Sequence, residues 1–159
     1  MKLRYLVAAA VVAVASVVVA TGALSQRSSD RGVLFAVLLG SKEVSPTTGK
    51  KNAGDRNGRG AATALIEGNQ LCFGIVVRNL DTAPNAAHVH RGRPSVNGSI
   101  VIPLTRPDGG DPGSSSGCTD ISSSLARQIR RNPSRFYVNV HTEDFPGGAV
   151  RGQLFARRR

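Results

Sequence analysis

From Gly32 onward the sequence is cut into short stretches that alternate apolar and polar residues, separated by breaks rich in Gly, Pro and Asn. That pattern most constrains the fold. A period of two puts successive side chains on opposite faces of a strand, and the frequent breaks deny any long helix. The strand candidates are residues 32–39, 61–67, 71–80, 86–91, 99–104, 135–142 and 149–156. Gly68-Asn69-Gln70 reads as the turn of a hairpin, and Pro94 with Asn97-Gly98 as another turn. Residues 50–60 and 106–117 are rich in Gly, Asn, Ser, Asp and Pro and read as loops. One short helix is expected near residues 120–131, with Asp120 as its cap. Ile121, Leu125 and Ile129 form its apolar stripe, Arg130 and Arg131 suit its C-terminal end, and Asn132-Pro133 stops it. About seven short strands with such punctuation predict an all-β, antiparallel β-sandwich or barrel.

The N-terminus reads differently. Lys2 and Arg4 precede an apolar run over residues 6–20, and Thr21-Gly22-Ala23 offers small residues at the spacing of a cleavage site. Residues 1–23 are therefore expected to be a signal peptide. A retained membrane anchor is the alternative, though the run is short for a span and dominated by weakly apolar Ala. The remaining expectations are a flexible segment over 24–31, one domain over 32–156 and a basic tail over 157–159. The chain is expected to be secreted or held in the cell envelope. Two cysteines, Cys72 and Cys118, are expected to pair in that setting.

The formal charge is +11, and much of the excess is Arg, clustered at Arg127, Arg130 and Arg131 and in the tail Arg157-Arg158-Arg159. Aromatics make up 4% of the chain, and no recognition helix or stacking motif accompanies the basic residues, so specific nucleic-acid binding is not expected. Weak attraction to anionic cell-wall polymer or lipid is the alternative to a basic surface with no dedicated partner.

All three histidines fall on strands. In Ala87-His88-Val89-His90 both imidazoles take the face opposite Ala87 and Val89. In residues 136–141, Phe136, Val138 and Val140 share one face, and Tyr137, Asn139 and His141 share the other. If these strands are neighbours, His88, His90 and His141 converge as a first shell for copper, or less readily zinc. The bland alternative is three polar-face histidines that bind only neighbouring groups. Glu43, Glu143 and Asp144 are carboxylates able to complete a shell. Tyr137, Asn139 and Arg151 are expected as further ligands or site neighbours.

Several stretches resemble the CHRD domain, a family widespread in exported bacterial proteins. They include residues 35–40 with Glu43-Val44, residues 86–92 (Ala-Ala-His-Val-His-Arg-Gly), Val96-Asn97-Gly98 and residues 100–104. The resemblance continues through residues 137–142, 145–148 and 151–154 (Arg-Gly-Gln-Leu). Ser45-Pro46 and Arg93-Pro94-Ser95 depart from the family pattern, both in loops. The resemblance implies an immunoglobulin-like β-sandwich and implies little about activity. The His-x-His strand also resembles the copper strand of copper–zinc superoxide dismutase, giving a related architecture. That family's two-metal site needs more histidines than the three present here, so His88, His90 and His141 can match only part of it.

Two further motifs carry no expectation of chemistry. Residues 113–117 match G-x-S-x-G, but without the strand-to-helix turn that exposes a nucleophile. Asn97-Gly98-Ser99 matches a glycosylation acceptor and reads first as a turn. No acid/base pair stands in a recognisable catalytic context. The expectation is a non-catalytic interaction or scaffold module, with a mononuclear copper or zinc protein as the alternative.

Overall fold

The computed structural model describes residues 32–156. The expected signal peptide, the 24–31 segment and the tail 157–159 lie outside the described residues. The strands are β1 (Gly32–Leu39), β2 (Arg59–Glu67), β3 (Gln70–Arg78), β4 (Pro84–Arg91), β5 (Ile100–Leu104), β6 (Gly113–Asp120), β7 (Phe136–Thr142), β8 (Val150–Gln153) and β9 (Phe155–Ala156). One helix, α1 (Ser123–Arg131), joins β6 to β7. The described residues are thus all-β apart from α1 and two short 3-10 turns.

The strands form one antiparallel sheet in the order β5-β4-β7-β8-β1-β2-β3-β6, with β9 also pairing β1. The sheet curls until its two ends nearly meet. Ser115 Oγ of β6 donates to the carbonyl of Thr105, the residue after β5, at 2.8 Å, and Asp108 N donates to Ser114 O at 3.0 Å. The inner face is the core. Leu34, Leu38, Ile66, Leu71, Ile75, Val89, Ile102, Phe136 and Val140 meet there, each from the apolar side of an alternating strand, and Leu154 joins them from between β8 and β9. Ala126 and Ile129 of α1 join this core, and neither has measurable exposure.

Several sequence expectations shift. Residues 113–117 are not loop but the start of β6, paired with β3 from Gly113↔Val77 to Asp120↔Gln70. Gly and Ser have little strand preference of their own; the partner strand and the Cys72–Cys118 disulfide, whose cysteines sit directly opposite in that register, hold them extended. Ser122, not Asp120, caps α1, and its hydroxyl accepts from Leu125 N at 3.2 Å. Asp120 is still the last residue of β6. The final strand is broken at Leu154 into β8 and β9, so that Leu154 turns into the core while its backbone N–H bonds Phe136 O.

The β2–β3 hairpin has the tight turn the sequence suggested. Glu67 pairs with Gln70, and Gly68 takes φ +56° at the first central position, where a primed turn needs a residue without Cβ. No helix among the described residues is long and apolar enough to cross a membrane.

Candidate metal centre

β4 and β7 are neighbours in the sheet, which makes the histidines meet. The register sets Ala86 opposite His141, His88 opposite Asn139 and His90 opposite Tyr137. Ala87, Val89, Val138 and Val140 turn inward to the core, so the histidines take the outer face. His88 lies diagonally across from His141, within reach of long side chains. One nitrogen from each of the three histidines falls within 4.8 Å of the others. The ring centroids are 5.1 Å (His88–His141), 5.7 Å (His88–His90) and 6.2 Å (His90–His141) apart.

Backbone carbonyls orient two of the rings. His90 Nδ1 lies 2.9 Å from Gly98 O, and His141 Nδ1 lies 2.9 Å from Pro146 O. A carbonyl only accepts, so each Nδ1 carries the proton and each Nε2 keeps its lone pair. His90 Nε2 is buried with no hydrogen-bond partner. His141 Nε2 lies 3.2 Å from His88 Nδ1. Two lone pairs cannot face each other at that distance; a proton on His88 or a cation between the rings resolves the contact. Nitrogens about 2.05 Å from one ion and 3.2 Å apart subtend about 103°, close to a tetrahedral angle.

Burial lowers the proton affinity of all three imidazoles below the ordinary histidine value. At His88 the neighbouring His141 and His90 act in the same direction. At His90 and His141 the carbonyl hydrogen bonds oppose burial without overcoming it. Neutral imidazoles with free lone pairs are the ligating form.

The remaining predicted neighbours form a layer beside the cluster. Tyr137 stacks on His90, with centroids 4.8 Å apart and an 8° interplanar angle. The Arg151 guanidinium lies 3.4 Å over the same Tyr137 ring, a cation–π contact. Asn139 donates through Nδ2 to the Glu43 carboxyl. Glu43 is 2% exposed, and burial pushes its carboxyl up to about 8, against the opposing pull of Arg151 and of the Val44 N–H. Gly148 sits against this pair with φ +132°. Among the described residues the cluster holds the three histidines and no carboxylate. Glu43 is taken up by Asn139, and Glu143 and Asp144 are exposed in the bend after β7.

The sequence marked a turn between β4 and β5 at Pro94 and Asn97-Gly98, but not the path of that connection. It folds back over the outer face, where Arg151 donates to Asn97 Oδ1 and to the carbonyls of Arg93 and Val96. Gly98 N donates to Tyr137 Oη, and Gln153 donates to Gly92 O. Asn97 also donates to Val44 O, which ties this connection to the segment carrying Glu43. The Asn97-Gly98 pair so soon after His-x-His was the available signal. The G-x-S-x-G stretch lies on β6, with no strand-turn-helix around it.

A family model for the CHRD domain matches residues 34–154, nearly all of the described chain. The protein therefore belongs to the CHRD domain family. A search of the curated proteins returns no match.

Proposed function

We propose that this CHRD-domain protein is a non-catalytic module of the cell envelope or secreted space that holds one metal ion, copper in preference to zinc. His88 Nδ1, His90 Nε2 and His141 Nε2 are its ligands. The reading rests on one observation: three imidazole nitrogens from two adjacent strands converge within 4.8 Å, and backbone carbonyls fix the tautomers of two of them. An all-imidazole donor set suits copper and zinc, and the affinity order of divalent ions favours copper. A three-ligand shell on the outer face leaves a further coordination position open. The apolar run near the N-terminus and the Cys72–Cys118 bond support an exported setting.

The test is metal analysis after copper loading and desalting of wild type, His88→Ala and His141→Ala. The expected result is one copper per wild-type chain and a marked loss in both variants. Equal copper content in all three proteins overturns the reading. Circular dichroism checks that each variant is folded.

A further inference from the structure

Arg151, whose guanidinium lies over the Tyr137 ring, also lines a cleft of about 370 Å³. Its walls come from four places in the chain: Ser41 and Lys42 on the 3-10 turn after β1, Lys51 in the β1–β2 connection, Ser95 in the β4–β5 connection, and Arg151 with Gln153 on β8. Three of these residues are cations and none is an acid. Lys42 and Lys51 are exposed; the Lys42 ammonium donates to Val37 O at 3.2 Å and keeps two further protons for a ligand.

Arg151 is the unusual member. It is 2% exposed, and a charge so deeply placed ordinarily has a charged partner. Its hydrogen-bond acceptors here are Asn97 Oδ1, Arg93 O and Val96 O, all neutral. Glu43 is the carboxyl whose charge acts on it, and burial holds Glu43 protonated up to about pH 8. At neutral pH the guanidinium is thus solvated by amides and the Tyr137 ring but not neutralised. Its field adds to that of the two lysines at the floor of a cavity of small-ligand size.

We propose that this cleft binds a phosphate group, with Lys42 and Lys51 contacting its oxygens and Arg151 and Gln153 forming the floor. Three positive charges without a lining acid match a dianion better than a single carboxylate. Lysine ammoniums serve phosphate as point charges, and Ser41 and Ser95 add neutral donors at the rim. None of the three histidines lines this cleft. The phosphate can be carried by a small phosphomonoester or by an anionic envelope polymer, since both present the same oxygens.

The experiment titrates the full chain with inorganic phosphate at neutral pH, followed by backbone amide NMR. Wild type is compared with Lys42→Gln/Lys51→Gln. Arg127→Gln/Arg131→Gln, which removes the same charge from the exposed face of α1, is the control. Saturable binding with shifts confined to Ser41, Lys42, Lys51, Ser95 and Gln153 is expected. Binding should weaken about tenfold or more in the lysine variant, which loses two charged contacts, and hold in the arginine control. Glycerol phosphate and a glycerol-phosphate polymer then compete against inorganic phosphate. Competition by either supports the site and names the source. Absence of saturable binding to wild type overturns the proposal. So does equal weakening in both double variants, because that marks general attraction to a basic protein.

Discussion

Replacing Glu43 with glutamine separates the effect of a buried carboxyl from everything else that titrates in this protein. Glu43 is 2% exposed, and its carboxyl is raised from 4.5 to about 8. Desolvation is the main cause; Arg151 and the Val44 N–H pull the other way and lose. The unfolded chain releases this proton near pH 4.5, while the folded chain keeps it to about pH 8. Between those values the folded state binds more protons than the unfolded state, so stability falls as pH rises. Below pH 4.5 both states are protonated and the group contributes no slope; above about pH 8 both are ionised and the loss is complete. One pKa unit is worth about 1.4 kcal/mol, so the interval from 4.5 to about 8 corresponds to about 5 kcal/mol as an upper value. The introduced amide is neutral throughout and can still accept from Asn139 Nδ2. The three histidines, whose lowered proton affinity costs stability on the acid side, are common to both proteins and cancel in the difference. The assay is urea unfolding of wild type and Glu43→Gln at steps from about pH 5 to about pH 9. The expected result is a variant that gains steadily on wild type across that range, by several kcal/mol at the alkaline end. Parallel stability curves would refute the argument that Glu43 is protonated in the fold.

Gly148→Ala should destabilise the protein by about 2 kcal/mol or more, because φ is +132° and a Cβ there meets Asn139 Nδ2 at 2.5 Å and Glu43 Cδ at 2.6 Å. Thermal melting checks it, and a loss below about 0.5 kcal/mol contradicts the crowding. Cys72→Ser/Cys118→Ser removes a bond spanning 46 positions, for which the chain-entropy estimate is about 4 kcal/mol. Chemical denaturation should show wild type in reductant matching the double variant in buffer; unchanged midpoints count against it. Ile129→Ala should cost about 3 kcal/mol, since the side chain is fully buried, while Leu125→Ala, only half-buried on the same helix, should cost clearly less. Equal losses would place the helix face wrongly.

The architecture was readable where local pattern and tertiary demand agree. The alternation in residues 86–91 and 136–141 alone puts His88, His90 and His141 on polar faces, because a strand leaves a side chain only two directions. That β4 and β7 are neighbours was not readable, since 53 positions separate His88 from His141 and local sequence does not encode pairing across that distance. β6 was missed for a related reason. Gly113, Ser114, Ser115, Ser116 and Gly117 have no side chains that prefer a sheet, and their conformation is imposed by β3. The helix cap slipped by two residues because Asp120 and Ser122 both suit an N-cap, and β6 claims the first. Arg151 was a nameable neighbour, but its burial depends on a connection folding back over it, which leaves no periodic mark. Glu43 read as a ligand because a carboxylate normally carries charge; its surroundings remove that charge.

The near-closure of the sheet also affects how the protein behaves beside other copies of itself. A curled sheet still has two rims, β5 and β6, and an open rim is a template on which foreign strands grow. The β5 rim is interrupted by Pro103, which has no N–H to offer. The β6 rim is Gly and Ser, cross-linked at Cys118, and tied to the residue after β5 through Ser115 and Thr105. Neither rim gives an incoming chain a regular ladder to extend. Crowded copies are thereby discouraged from fibrillar stacking, and the sequence features that hid β6 from a strand search also make it a poor seed for aggregation.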